Sequence, residues 1–165
     1  MGGLTLALET GIRAFEAEVQ RSERLTGKAE KYLGGIAIVT GFASVQMDDL
    51  LNASGQLPGN VLWILGPGFL ALALSLLLSL LGLSTKDYWG YPDGEVIVAG
   101  LDASRDSEEM TLKLSKMYFA AHSHNAAINT GRSVLLRWSG YFLVAGFALV
   151  LLTVASQVLL RYVLS

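Results

Sequence analysis

The chain has 165 residues, 52% of them hydrophobic and only 16% charged, with a formal net charge of −2. That length is about one domain, the apolar bias excludes a disordered chain, and near-neutrality gives no reason to expect duplex nucleic acid as a partner. Cysteine is absent, which removes a disulfide framework, a thiolate metal site and a catalytic thiol, and leaves the redox compartment undetermined.

The opening residues MGGLTLALETGIRAFEAE do not read as a signal peptide, because no basic residue precedes the apolar ones. Leu6 stands where a myristoylation pattern needs Ser or Thr. Residues 1–31 predict a cytosolic amphipathic helix, with Leu8, Ile12, Phe15 and Val19 on one face and Glu9, Arg13, Glu16, Arg21, Glu23 and Lys28 on the other. Glu9 and Arg13 are an i,i+4 pair in the favourable order. Acidic and basic residues balance at five each up to Lys31, so packing on the chain's own helices is favoured over binding a membrane surface.

Residues 32–51 are the first candidate span. Their uncharged run from Leu33 to Met47 is only 15 residues, about 22 Å of helix, and by itself fits a short span or a re-entrant segment equally. Residues 61–83 are the strongest span: 23 residues without an ionisable side chain, eleven of them leucine, about 34 Å long against a hydrocarbon core of about 30 Å. Gly66-Pro67-Gly68 predicts a kink there. Residues 138–164 form the third, whose uncharged core from Tyr141 to Leu160 is 20 residues long, with Trp138, Tyr141 and Tyr162 suited to the interfaces.

Between the second and third spans, residues 84–137 predict a cytosolic module. Tyr88, Trp89 and Tyr91 stand where an interfacial belt should sit, and YPDGEVIVAG suggests a turn with a short hairpin or strand. Asp106 and Glu109 have the form of a capping box. The helix after them carries Met110, Leu114, Met117, Ala121, His124, Ile128, Gly131 and Leu135 on one stripe, and is expected to run unbroken into the third span.

Lysine and arginine number five in residues 1–31, none from Leu33 to Thr85, six from Lys86 to Arg137, and one at Arg161. Three spans place both basic-rich regions on the cytoplasmic side, as the positive-inside rule requires. The expected fold is therefore an all-α, multi-pass membrane protein of three transmembrane helices. It has a cytoplasmic N-terminus, an outer loop from Asn52 to Asn60, and a long cytosolic helix entering the third span.

Three stripes of small or polar residues stand out. Gly34, Ala37, Gly41, Ser44 and Asp48 line one face of the first span, Ala71, Ser75 and Ser79 the second, and Gly146, Thr153, Gln157 and Arg161 the third. Small residues let membrane helices approach closely, which serves packing within one subunit. The same stripes would also suit a subunit interface or conduction path, since polar residues at membrane depth face protein or water. Asp48 or Asp49 is expected to pair with Arg161 near the outer surface. In an oligomer, Asp48 and Asp49 would form an acidic ring that favours cations. His122 and His124 are i,i+2 on a helix and point to different faces, so no metal site is expected, nor any cofactor. Without a P-loop, G-x-S-x-G or H-E-x-x-H motif, nothing points to an enzyme.

Arg21, Lys28 and Ala29 before the first span, and Tyr118, Ala121, Asn125, Asn129 and Arg132 (Y-x2-A-x3-N-x3-N-x2-R) before the third, give the layout a resemblance. It resembles small bacterial antiphage-defence transmembrane effectors, the Pycsar-type effectors and SLATT-type membrane domains, over roughly residues 13–160. The resemblance implies a homo-oligomer in the inner membrane that permeabilises it on a cytosolic signal. The partners it implies are the bilayer and a nucleotide second messenger or a cytosolic sensor protein. A directly bound nucleotide would use Lys86, Arg105, Arg132 or Arg137, residues equally explained as topology determinants. The chain departs from the pattern in having no appended ligand-binding domain. A non-conducting anchor or accessory subunit docking a cytosolic partner is the other reading.

Overall fold

The computed structural model describes residues 2–54, 59–84, 88–91 and 107–164, with side chains given for 3–45, 63–84, 88–91, 107–157 and 159. Three helices, α1 (Gly2–Ser54), α2 (Gly59–Leu83) and α3 (Ser107–Leu164), make up almost all of it, and no strand occurs among the described residues. The expected hairpin after Tyr91 and the Asp106 cap lie outside the described residues. The long helix is continuous as the sequence predicts: α3 runs 58 residues without a break.

α2 and α3 are long and apolar enough to cross a membrane. Only 33% and 22% of their apolar windows are buried within the chain, far less than a soluble core helix requires. The expectation of three such helices is thus met by two. α1 falls short because its uncharged run ends at Asp48 after 15 residues, about 22 Å where about 30 Å is needed. α2 continues through Pro67 as one helix.

The chain divides into two units, Met1–Leu25 with Thr85–Ser133, and Thr26–Ser84 with Val134–Ser165. In the first, α1 and α3 run parallel, since contacts advance along both together: Ala14 with His122, Glu18 with Asn129, Ser22 with Arg132. Phe15 is fully buried, with Tyr91 and Tyr118 edge-on at 4.9 and 5.7 Å. Gly11 brings α1 close, since a Cβ there would lie 3.3 Å from Tyr118 Cβ. The predicted charged face of α1 is exposed at Glu9, Arg13, Glu16 and Glu23, and Glu9 and Arg13 pair at 3.9 Å.

In the second unit α1 again runs parallel to α3, and α2 antiparallel to it. Tyr32 meets Gly140 and Gly35 meets Leu143, whereas Gly68 meets Leu149 and Gly82 meets Leu136. Val39 and Ala43 of α1, Leu72 of α2 and Val150 of α3 form the common core, flanked by Phe69 and Leu143. Outside it, Ile38, Trp63, Leu70, Val144 and Leu152 are each 60% or more exposed, the apolar surface a bilayer would cover.

The buried line of α3 differs from the predicted stripe. Met117 and Gly131 are exposed, and burial follows Ala121, Asn125, Asn129, Arg132, Leu136 and Ser139. A stripe chosen by hydrophobicity misses this line because its centre is polar.

Candidate functional site

The polar centre of that line is the most elaborate chemistry in the first unit. Asn125 and Asn129 are fully buried and Arg132 is 3% exposed. Buried amides are tolerated only when bonded, and each has found backbone on another element. Asn125 Nδ2 donates to the Trp89 carbonyl at 2.9 Å, while its Oδ1 accepts from the Trp89 N–H at 3.0 Å. Asn129 Nδ2 donates to both the carbonyl and the carboxylate of Glu18 at 2.9 Å. Arg132 Nη1 donates to Ser22 Oγ at 2.7 Å. His122 donates from Nδ1 to the Ala14 carbonyl at 3.2 Å, and His124 stacks on the Trp89 indole at 4.6 Å. Neither histidine is placed for metal, and among the described residues no three His, Asp or Glu side chains converge.

Tyr88, Trp89 and Tyr91 are therefore held by the first unit's own residues. The Tyr88 hydroxyl is buried beside Asn129 and Ser22, and neither it nor Asn129 Oδ1 has a closed hydrogen bond among the described residues. Burial pushes this phenol above its ordinary value of 10.0, with Asn129 and Ser22 pulling the other way. Of Y-x2-A-x3-N-x3-N-x2-R, Tyr118, Asn129 and Arg132 lie on the seam with α1, while Asn125 holds Trp89.

In the second unit the expected stripes separate. Those of α2 and α3 turn inward. Ser75 and Ser79 are fully buried and close on Ser139: Ser75 Oγ donates to the Ser139 carbonyl at 2.9 Å, Ser139 Oγ to the Ser75 carbonyl at 3.0 Å, and the hydroxyls of Ser79 and Ser139 are 2.7 Å apart. Gly146 is a tight crossing, since a Cβ there would stand 2.8 Å from Leu72 Cγ and 3.1 Å from the Gly68 carbonyl oxygen. Thr153 is 3% exposed and donates to its own Leu149 carbonyl at 2.9 Å. Gln157 Nε2 is buried without a hydrogen-bond partner among the described residues.

The stripe of α1 turns outward. Gly34, Ala37, Gly41 and Ser44 are all at least partly exposed, and a Cβ at Gly34 or Gly41 would meet nothing within 4 Å. Ser44 bonds only its own helix, donating to the Thr40 carbonyl at 2.8 Å.

The side chains of Asp48, Asp49 and Arg161, and residues Lys86 and Arg105, lie outside the described residues. So does the expected Asp48 or Asp49 pair with Arg161. Of the remaining cations expected for a nucleotide, Arg132 is buried in the seam, and Arg137 is exposed. Sequence reasoning missed Ser139, although it opens a seven-residue repeat with Gly146 and Thr153. It also missed the Asn125 bond to Trp89, which no local pattern announces. Comparison of the chain with protein-family models, curated proteins and solved structures finds no match.

Proposed function

We propose that the protein is a self-associating membrane effector in which α1 also crosses the bilayer, parallel to α3. Chain parity supports the third crossing. The chain leaves the first unit after Leu25 and re-enters it at Thr85, so if α2 crosses once, α1 must cross too. The core shared by Val39, Ala43, Leu72 and Val150 gives α1 helical neighbours at the depth its short apolar run would leave exposed. With the first unit cytoplasmic, eight of the twelve basic residues lie on the inner side, and Lys28, Lys31 and Arg137 follow within a few residues of its bounds in sequence.

The observation that carries self-association is the outward Gly34-Ala37-Gly41-Ser44 face. In lipid such a face finds its favourable contacts against another helix, and among the described residues none of this chain's own packs against a Cβ at Gly34 or Gly41. The resemblance to antiphage effectors adds the activity: permeabilising the bacterial inner membrane on a cytosolic signal, from a nucleotide messenger or a sensor protein, passed through the α1–α3 seam. Since the hydroxyls of α2 and α3 close on groups of the same chain, a conducting path would form between copies. That closure equally favours the second reading, a non-conducting anchor that docks a cytosolic partner.

The chain lacks cysteine, so Ser44→Cys is a clean reporter. Oxidation in bacterial membranes should give a disulfide-linked dimer, and Gly41→Leu in the same chain should abolish it. Absence of any cross-linked species would remove the self-association reading. Depolarisation, followed with a potential-sensitive dye, then separates pore from anchor.

A further inference from the structure

Lys28, Lys31 and Arg137 are exposed on one flank of the α1–α3 contact at the inner end of the second unit, and we infer that they hold the headgroup of an anionic phospholipid. The inference rests on the membrane reading of the proposed function. Tyr32 and Gly140 set the floor: a Cβ on Gly140 would lie 2.7 Å from the Tyr32 hydroxyl oxygen, so the two helices touch there. Lys28 is one turn before Tyr32 on α1, with its Nζ 5.5 Å from the Tyr32 ring centroid. Arg137 is nearly one turn before Gly140 on α3, so the two cations sit at almost one height on parallel helices.

They also share a flank. At about 100° per residue, Lys28 is displaced from Tyr32 by about 40° in one rotational sense, and Arg137 from Gly140 by about 60° in the other. On parallel helices that face each other, opposite senses mean the same side of the groove. Lys31 falls on that flank too, whereas Glu30 lies about 160° round α1 from Tyr32. Lys28, Lys31 and Arg137 are all at least partly exposed, and no acid from the described side chains of this unit joins them on that flank.

The surface farther along the flank identifies the ligand as an amphiphile. Past Arg137 come Tyr141, 61% exposed, and Val144, 68% exposed; past Lys31 comes Ile38, 75% exposed. The order is cation, interfacial aromatic, aliphatic surface, which matches phosphate, glycerol and acyl chain in turn. A soluble phosphate would use only the first. The outward glycine face lies on the far side of α1 from this groove, so lipid and a second copy do not compete.

The test uses the full-length chain in nanodiscs of mixed phosphatidylglycerol and phosphatidylcholine, with mass spectrometry of the lipid that stays on the protein after detergent extraction. Wild type should retain phosphatidylglycerol above its bulk share, and Lys28→Gln and Arg137→Gln should each lower that enrichment roughly five-fold. Lys28→Arg with Arg137→Lys should keep it, which separates loss of charge from loss of fold. Enrichment equal to bulk in wild type, or unchanged in the Gln variants, overturns the site. Displacement by millimolar inorganic phosphate overturns the lipid assignment in favour of a soluble anion. Flotation with vesicles is read alongside: a chain that floats without enrichment has lost only this site, and one that does not float has lost the membrane reading beneath it.

Discussion

Asn125 grips the backbone of Trp89 on both sides of its Cα, donating to its carbonyl at 2.9 Å and accepting from its N–H at 3.0 Å. One amide thereby fixes the short segment after α2 onto α3. Asn125→Leu fills the volume but strips both partners, and should cost about 2–3 kcal/mol. Hydrogen exchange at the Trp89 amide reads it directly, and protection as in wild type would show that the clamp is idle.

Two glycines separate packing from association. Gly146→Ala must push Leu72 and the Gly68 backbone apart, and should destabilise the detergent-solubilised chain by about 1–3 kcal/mol. Gly41→Ala meets open space and should leave the thermal midpoint of the monomer unchanged while weakening cross-linking through Ser44→Cys. Equal losses of stability in both would put Gly41 inside the bundle.

Ser139 is the hub on which Ser75 and Ser79 converge. Ser139→Ala leaves the buried Ser79 hydroxyl without its partner, while Ser75 keeps the Ser139 carbonyl, and should cost about 1–2 kcal/mol. Ser79→Ala combined with Ser139→Ala should cost less than the sum of the two single changes, because each removes the same 2.7 Å bond between the two hydroxyls. Strict additivity in a double-mutant cycle would contradict the network.

Much of the fold is legible in the sequence for identifiable reasons. Length and apolarity alone mark α2, and the uninterrupted pattern from Ser107 marks α3. The 4-3-4 spacing of Leu8, Ile12, Phe15 and Val19 gives α1 its face. Periodicity finds a stripe but not its neighbour, so nothing distinguishes the outward Gly34-Gly41 stripe from the inward Gly146-Thr153 one. The α3 seam is hidden for another reason: its buried positions are Asn125, Asn129 and Arg132, which hydrophobicity ranks as surface, and only their partners on α1 and at Trp89 explain them.

Tyr88 makes alkaline stability measurable. Burial raises its phenol, so the folded state holds that proton more tightly than the unfolded one. The associated stability is complete below the unfolded value of about 10 and is lost as pH rises towards the folded value. Denaturant midpoints of wild type should therefore fall more steeply above about pH 10 than those of Tyr88→Phe. Parallel curves would place the hydroxyl in water.

Gln157 keeps a buried amide without a hydrogen-bond partner among the described residues. Gln157→Leu should be neutral or stabilising by about 1 kcal/mol in thermal unfolding if the group is only structural. If the substitution also abolishes depolarisation, Gln157 serves permeation.

The parallel pairing of α1 with α3 also sets a schedule for making the protein. His122, Asn129 and Arg132 bond to α1 residues 108, 111 and 110 positions earlier in the chain. At a ribosomal pace of about 5–20 residues per second, Phe15 and the face around it wait several seconds or more for their partners. During that interval a nascent chain presents an unfinished amphipathic helix attached to a marginally apolar segment, and only emergence of α3 completes both. A ribosome stalled soon after Leu83 should therefore display α1 as a chaperone substrate, and release of that chaperone would time the arrival of α3.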